Sequence, residues 1–447
     1  MRRFVDDALL AWKNSRRRKP LLVRGARQVG KTYSIEKLGR DHFGKLVTID
    51  LERNREWHRI FAGDLGADHV LHELEVVTDT KIEPGSTLLF LDEIQACPRV
   101  VVALRYLYEE RPDLHVIAAG SLLELAFREV SFPVGRVQFL EMHPMTFVEF
   151  LWAIGADPSA ELVLGPPKAT SEAVHNHILE QLRKYCFVGG MPGSVSAYVG
   201  THSIRECFGV HKEIIEGYRD GFSKYAPHVD PLCIDAVLRD AAQSVGTELK
   251  YARLAEGHDH RQVRKAFDIL CQARLIKRVP SANPGGLPLG ATSSARRFKT
   301  LLLDIGLWQH LCGIRTDIEY LKTDLLAVYR GAMAEQFVGQ EMLVSQEGEL
   351  YYWSREARGS SAEVDYLAVV NGEILPVEVK SGPAGRLKSM NLLLSTYPNC
   401  PRGLVFSSAP YADMPEHKLT FLPLYFAGSA TTSRAHRAAP APEQGEN

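Results

Sequence analysis

The chain has 447 residues, 53 of them Lys or Arg and 54 Asp or Glu, for a formal net charge of −1. Hydrophobic residues at 45% and charged residues at 24% exclude a mostly disordered chain. The balanced charge excludes bulk attraction to phosphate, so any nucleic-acid surface must be a local patch, and the length predicts roughly three domains.

Seven cysteines without CxxC or paired Cys/His spacing predict reduced thiols in a cytoplasmic protein, not a disulfide framework or a zinc site. The 16 histidines show no HxxxH spacing and are assigned no role. No apolar run approaches the roughly 18–20 residues of a membrane-spanning helix, so no membrane partner is expected. The N-terminal segment carries Asp6 and Asp7 where a signal peptide needs an apolar stretch, and reads as an amphipathic helix ending in a basic cluster.

The first 150 residues alternate short apolar runs with helical patterns, which predicts a parallel sheet covered by helices and an α/β fold class. Leu21–Gly25, Leu46–Leu51, Thr87–Glu93 and His115–Ser121 read as buried strands, and Lys31–Gly39 and Arg99–Glu110 as helices. Residues 151–240 read as a helical connector broken by the Gly-Gly-Met-Pro stretch after Val188. Residues 241–300 read as three short helices and then a Gly/Pro/Ser-rich loop or hairpin, the order of a winged helix. Residues 301–427 form a last α/β domain, with Asn371-Gly372 between two apolar runs as a strong hairpin signal. Residues 428–447 read as a disordered tail.

Gly25, Ala26, Arg27, Gln28, Val29, Gly30, Lys31 and Thr32 fit the phosphate-binding pattern GxxxxGK[ST]. A buried strand delivers a glycine-rich turn whose amides wrap phosphate oxygens at a helix N-terminus. Lys31 is expected to reach the β- and γ-phosphates of ATP, and the Thr32 hydroxyl to ligate Mg²⁺. Four apolar residues then end in Asp92 and Glu93 at the C-terminal edge of the sheet, where ligands bind. Asp92 would hold Mg²⁺ through water and Glu93 would polarise the attacking water, which argues for hydrolysis. Ser121 is placed to sense the γ-phosphate or simply to cap a helix, and Arg136 to serve as an arginine finger in a homo-oligomer, a ring included, or to sit in a surface ion pair.

From Arg261 to Arg278 the chain carries six basic residues and one acid. Arg261, Arg264, Lys265, Lys277 and Arg278, with Arg296, Arg297 and Lys299 after the expected wing, are the candidate DNA contacts. A further set comprises Glu335 on a helix, Asp365 on a strand, and Glu378 and Lys380 across the Asn-Gly hairpin. Carboxylates and a lysine at adjoining strand ends suit a divalent metal, Mg²⁺ or Mn²⁺, held by Asp365 and Glu378 with Glu335 completing the shell, while Lys380 steadies developing negative charge.

The stretches GARQVGKT, LLFLDEIQ, AAGSLLE and PVGRVQFLEMHPMTFVEFL resemble the AAA-type P-loop ATPase domain of bacterial and archaeal proteins that carry a DUF4143-type region downstream. YRDGFSKY, RRFKTLLLDIGLWQHL and EVDYL with LPVEVKSG resemble that downstream region, so the likeness spans roughly residues 1–425. Gly-Ala-Arg stands where relatives commonly have Gly-Pro-Arg, a change neutral for phosphate binding. The Glu335, Asp365, Glu378 and Lys380 set resembles the PD-(D/E)xK nuclease fold of restriction enzymes and Holliday-junction resolvases. The resemblance implies an ATP-driven enzyme acting on DNA, branched or Holliday-type DNA by fold analogy, with a metal-dependent nuclease. The alternatives are a regulatory NTPase switch whose nuclease-like domain only binds nucleic acid or protein, and a defence effector.

Overall fold

A computed structural model describes residues 1–121, 123, 132–133, 135–225, 228–314, 326–346, 349–357, 360–380 and 387–432. They form two compact units: residues 2–143 with 272–274, and residues 144–271 with 275 onward. The first boundary falls at residue 143 where the sequence predicts 150.

The N-terminal unit is built on five parallel strands: β1 Leu21–Gly25, β2 Lys45–Asp50, β3 Thr87–Asp92, β4 His115–Gly120 and β5 Gln138–Met142. Their order across the sheet is β2-β3-β4-β1-β5. β3 and β4 are buried at every position, as continuous apolar runs covered on both faces must be. The helix Lys31–His42 follows β1, Ala67–Thr78 precedes β3, and Val100–Glu110 precedes β4. Ile49, Leu89, Leu91, Leu104 and Val116 meet in the core between them. β5 is absent from the predicted strands. It lies at the sheet edge with only Met142 buried and Phe139 exposed, so it lacks the continuous apolar run that marks its neighbours.

The C-terminal unit opens with helices, among them Phe147–Ala153, Glu172–Val188, Ile204–Tyr225 and Pro231–Gln243. Of the three short helices expected in residues 241–300, the last is His260–Gln272, and β6, Ile276–Ser281, begins before the Gly/Pro/Ser-rich stretch. β6 pairs antiparallel with β7, Ser294–Leu302. Then come β8 Tyr351–Ala357, β9 Ser360–Val370, β10 Glu373–Val379, β11 Gly403–Ser407, β12 Ala412–Met414 and β13 Leu419–Pro423. All eight join one sheet in the order β12-β13-β11-β10-β9-β8-β6-β7. The expected wing and the expected last domain therefore share a sheet, meeting where Ser281 pairs with Tyr352. Asn371 and Gly372 both have positive φ, 52° and 83°, the turn that closes the β9–β10 hairpin without splaying its strands. The helix Lys388–Thr396 packs Met390 and Leu393 onto Val364, Leu367 and Val405 of the sheet.

The segment predicted as a tail starts in order: Ala427–Thr431 is helical, and the Thr431 hydroxyl lies 2.7 Å from that of Ser345. Residues 433–447 lie outside the described residues. Among the described residues no helix is long and apolar enough to cross a membrane.

A buried acid sets a pH dependence for this unit. Glu341, on the helix Leu326–Ser345, accepts the Phe147 amide N–H at 3.0 Å, and burial raises its pKa from 4.5 to about 8. The folded state thus holds a proton that the unfolded chain releases, so stability declines as pH rises through that window. Glu341→Gln keeps the acceptor and removes the ionisation. Thermal unfolding between pH 5 and 9 is expected to show the variant gaining on the wild type with rising pH, by on the order of 3 kcal/mol near pH 8. Parallel curves would show that Glu341 does not titrate there.

Candidate nucleotide site and buried carboxylate cluster

In the N-terminal unit, β1 runs into the glycine turn and the helix Lys31–His42. A Cβ on Gly25 would stand 2.4 Å from the Met142 carbonyl oxygen, so only glycine lets the turn pass β5. Gly30 takes φ +93° and Gln28 φ +63°, left-handed conformations that curl the backbone. Ala26 and Val29 are buried, Arg27 is half-buried and Gln28 is exposed.

Lys31 is 7% exposed, and its Nζ donates to the carbonyls of Gly25 at 3.1 Å and Ala26 at 2.8 Å. Burial lowers its pKa to about 8. The Thr32 hydroxyl donates to Asp92 Oδ2 at 2.8 Å, and the Glu93 amide donates to Asp92 Oδ1 at 2.9 Å. Burial raises Asp92 to about 6. A hydroxyl and a carboxylate converging at this distance suit Mg²⁺, which takes one or two protein oxygens and leaves its other positions to water and phosphate.

Glu93 sits just past β3 with φ +51°, and Gln95 Nε2 donates to its Oε2. A Cβ on Gly120 would come 2.4 Å from Gln95 Oε1, so this glycine opens the space that Gln95 fills. Ser121 follows β4, 2% exposed, and among the described residues its Oγ has no hydrogen-bond partner. A buried hydroxyl without a partner carries a desolvation cost that a phosphate oxygen would relieve. Sequence reasoning missed two residues here. Gln95 is one. Arg3 is the other, donating to the carbonyls of Val29 at 3.2 Å and His143 at 2.8 Å and so anchoring the turn from the N-terminus. Arg136 is exposed, and its Nε donates to Glu109 Oε1 at 2.8 Å within the same unit.

In the C-terminal unit Arg261, Arg264 and Lys265 are exposed on the helix His260–Gln272, as are Lys277 on β6 and Arg296 on β7. Three other expected DNA contacts are engaged inside the unit. Arg278 binds Asp268, reaches the Tyr251 hydroxyl at 3.0 Å and lies over the Phe267 ring. Arg297 pairs with Glu248 at 3.0 Å. Lys299, expected on the same basic surface, is buried, its side chain 2% exposed. Strand β7 is buried from Phe298 to Leu302, and that carries the lysine inward.

Lys299 lies in the carboxylate cluster. Its Nζ is 3.3 Å from Glu335 Oε2, 3.2 Å from Asp365 Oδ1 and 2.5 Å from Glu363 Oε1. Asp365 Oδ2 accepts the Val379 amide at 2.8 Å, and Lys380 pairs with Glu378. Burial lowers the pKa of Lys299, but Asp365, Glu335 and Glu363 outweigh it and raise it well above the usual lysine range. Burial first, then the charge of Asp365, holds Glu335 and Glu378 above the ordinary carboxylate range. Glu335, Asp365, Glu378 and Lys380 therefore come together as the sequence places them, with Lys299 and Glu363 added. The residues do not fit a divalent ion as they stand, because an ammonium group already holds the oxygens such an ion would use. Among the described residues, no group of three or more His, Cys, Asp or Glu is disposed to hold a metal.

No curated protein matches the chain. Similar solved structures include Aquifex aeolicus DnaA bound to AMPPCP, 12% identical over 59% of this chain and 85% of that one, TM-score 0.26. The Thermotoga maritima RuvB Holliday junction branch migration motor is 17% identical over 62% and 88%, TM-score 0.28. Drosophila ORC bound to DNA is 13% identical over 68% and 91%, TM-score 0.25. Residues 179–318 match the model of a domain of unknown function, DUF8612, and residues 330–425 that of another, DUF4143. Residues 17–151 match the model of an AAA domain, so the chain joins an AAA-type P-loop ATPase domain to a DUF4143 region.

Proposed function

We propose that the chain is an ATP-hydrolysing enzyme whose nucleotide cycle acts on DNA held by the C-terminal unit. The observation that carries the reading is the convergence of Thr32 on Asp92, beside Lys31 at the glycine turn and Glu93 just past the strand end. The turn amides and Lys31 would bind the phosphates. Thr32 and Asp92 would hold Mg²⁺, which supplies charge neutralisation of the phosphate oxygens when bound. Glu93 would orient and polarise water, its carboxylate steadied by Gln95, and Ser121 would meet the γ-phosphate. Arg136 sits in an exposed pair of the kind that costs little to open, which leaves it available to a neighbouring copy in an oligomer.

Support for DNA as the partner is the exposed basic run of Arg261, Arg264 and Lys265, with Lys277 and Arg296 on the following hairpin. Replacing Arg261, Arg264 and Lys265 with Gln should weaken DNA binding across sequences and flatten the dependence of log affinity on log salt by about 2–3 units. Fluorescence anisotropy at several salt concentrations measures this, and an unchanged slope would remove this face from the interface. The proposal as a whole is tested by ATP turnover on duplex, single-stranded and four-way-junction DNA beside Lys31→Ala. Turnover stimulated by DNA and absent from the variant is expected; equal turnover in Lys31→Ala would overturn the reading.

The regulatory switch, with the C-terminal unit binding rather than cutting, is favoured over metal-dependent cleavage by one observation, the position of Lys299 among Glu335, Glu363 and Asp365.

A further inference from the structure

A nuclease of the fold that Glu335, Asp365, Glu378 and Lys380 resemble uses a divalent ion at its carboxylates. Here the centre of the cluster is filled by the chain itself. We infer that Lys299 is a built-in counter-ion in the place of that metal, so that the C-terminal unit binds no divalent ion there. The inference stands apart from the ATPase reading, since no residue of the glycine turn enters it.

The distances support it. A divalent ion needs carboxylate oxygens at about 2.0–2.6 Å, and Glu335 Oε2 and Asp365 Oδ1 are instead spread around Nζ at 3.3 and 3.2 Å. A metal on those two oxygens would sit against the buried ammonium, two like charges side by side. The second oxygen of Asp365 is also committed, to the Val379 amide. Nor does Lys299 have an easy way out. It projects from the buried stretch of β7, and its Nζ lies 5.5 Å from the centre of the Tyr352 ring. Removing it would leave Glu335 and Asp365, each 13% exposed, without their cation, which is far more costly than the pair is worth as a stabiliser.

Once the lysine charge is gone, the oxygens of Glu335, Glu363 and Asp365 that surround Nζ would be left facing a vacated cation position. Glu378 is 7% exposed, and among the described residues its Oε2 has no hydrogen-bond partner. Its charge is felt together with those of Asp365 and Lys299, so it belongs to the same cluster.

The test is Mn²⁺ binding by the full chain without nucleotide, followed by electron paramagnetic resonance of the free ion, in an Asp92→Asn background that silences the nucleotide site. The protein retaining Lys299 should take up no Mn²⁺ that depends on Asp365. Lys299→Met, which keeps the length of the side chain, should gain one Mn²⁺ per chain, and its Tm, lowered in EDTA, should recover when Mn²⁺ is added. The added Asp365→Asn change should abolish both gains. If Lys299→Met does not fold alone, Lys299→Met with Glu363→Gln leaves one fewer uncompensated acid and carries the same test. Uptake of Mn²⁺ by the protein with Lys299 intact that disappears in Asp365→Asn would overturn the inference. So would a folded Lys299→Met protein that gains no ion.

Discussion

Glu93→Gln is expected to bind ATP normally and turn it over about 100–1000-fold more slowly, the loss that follows removal of a positioned base. The substitution keeps the shape of the side chain and leaves the Asp92–Thr32 pair in place, so the phosphate and Mg²⁺ groups remain. Lys31→Ala should differ in kind by losing binding as well, since the ammonium is the cation inside the glycine turn. Fluorescent-nucleotide binding and single-turnover phosphate release separate the two. If Glu93→Gln hydrolyses ATP at the wild-type rate, the water-activating residue lies elsewhere.

Asp304→Ala should cost about 3 kcal/mol or more of stability, with no change at the nucleotide site's own residues. Asp304 is fully buried at the start of the helix Ile305–Leu311 and accepts amide N–H groups of Gly306 at 2.9 Å, Leu307 at 3.0 Å and Gly190 at 2.5 Å. Removing the carboxylate orphans three buried donors at once. The Gly-Gly pair explains itself here, because a Cβ on Gly189 would stand 2.4 Å from Asp304 Oδ1. Chemical denaturation of Asp304→Ala, with Asp304→Asn retaining part of the loss, measures the effect. A change below 1 kcal/mol would mean that water replaces the carboxylate.

The glycine turn and β1, β3 and β4 are legible in the sequence because each is a local pattern: a contiguous loop, or an apolar run buried on both faces. The Asn371-Gly372 turn is legible for the same reason, since two positive φ angles demand those residue types. What joins distant segments is not. Arg3 reaches Val29 and His143 across the whole N-terminal unit, and nothing in its neighbours' spacing announces it. Lys299 misleads more deeply. Beside Arg296 and Arg297 it reads as part of a charged surface, the usual place for lysine, whereas the strand turns wholly inward at Phe298. The available signal was the apolar company of Lys299, with Phe298 before it and Leu301, Leu302 and Leu303 after it.

The sheet shared by β6–β7 and β8–β13 bears on how this protein can be cut into pieces. β8 meets β6 where Ser281 pairs with Tyr352, and the Ala282 amide donates to the Tyr352 carbonyl at 2.8 Å. A fragment starting after Leu302 would strip away that cover, leaving β8 as a raw edge with free backbone groups open to pairing with another chain. The same cut would discard Lys299 while keeping its acids. Such a piece would be prone to self-association and would misreport the chemistry of the intact chain, whereas a cut near residue 143 severs neither sheet and parts only residues 272–274 from the unit to which they belong.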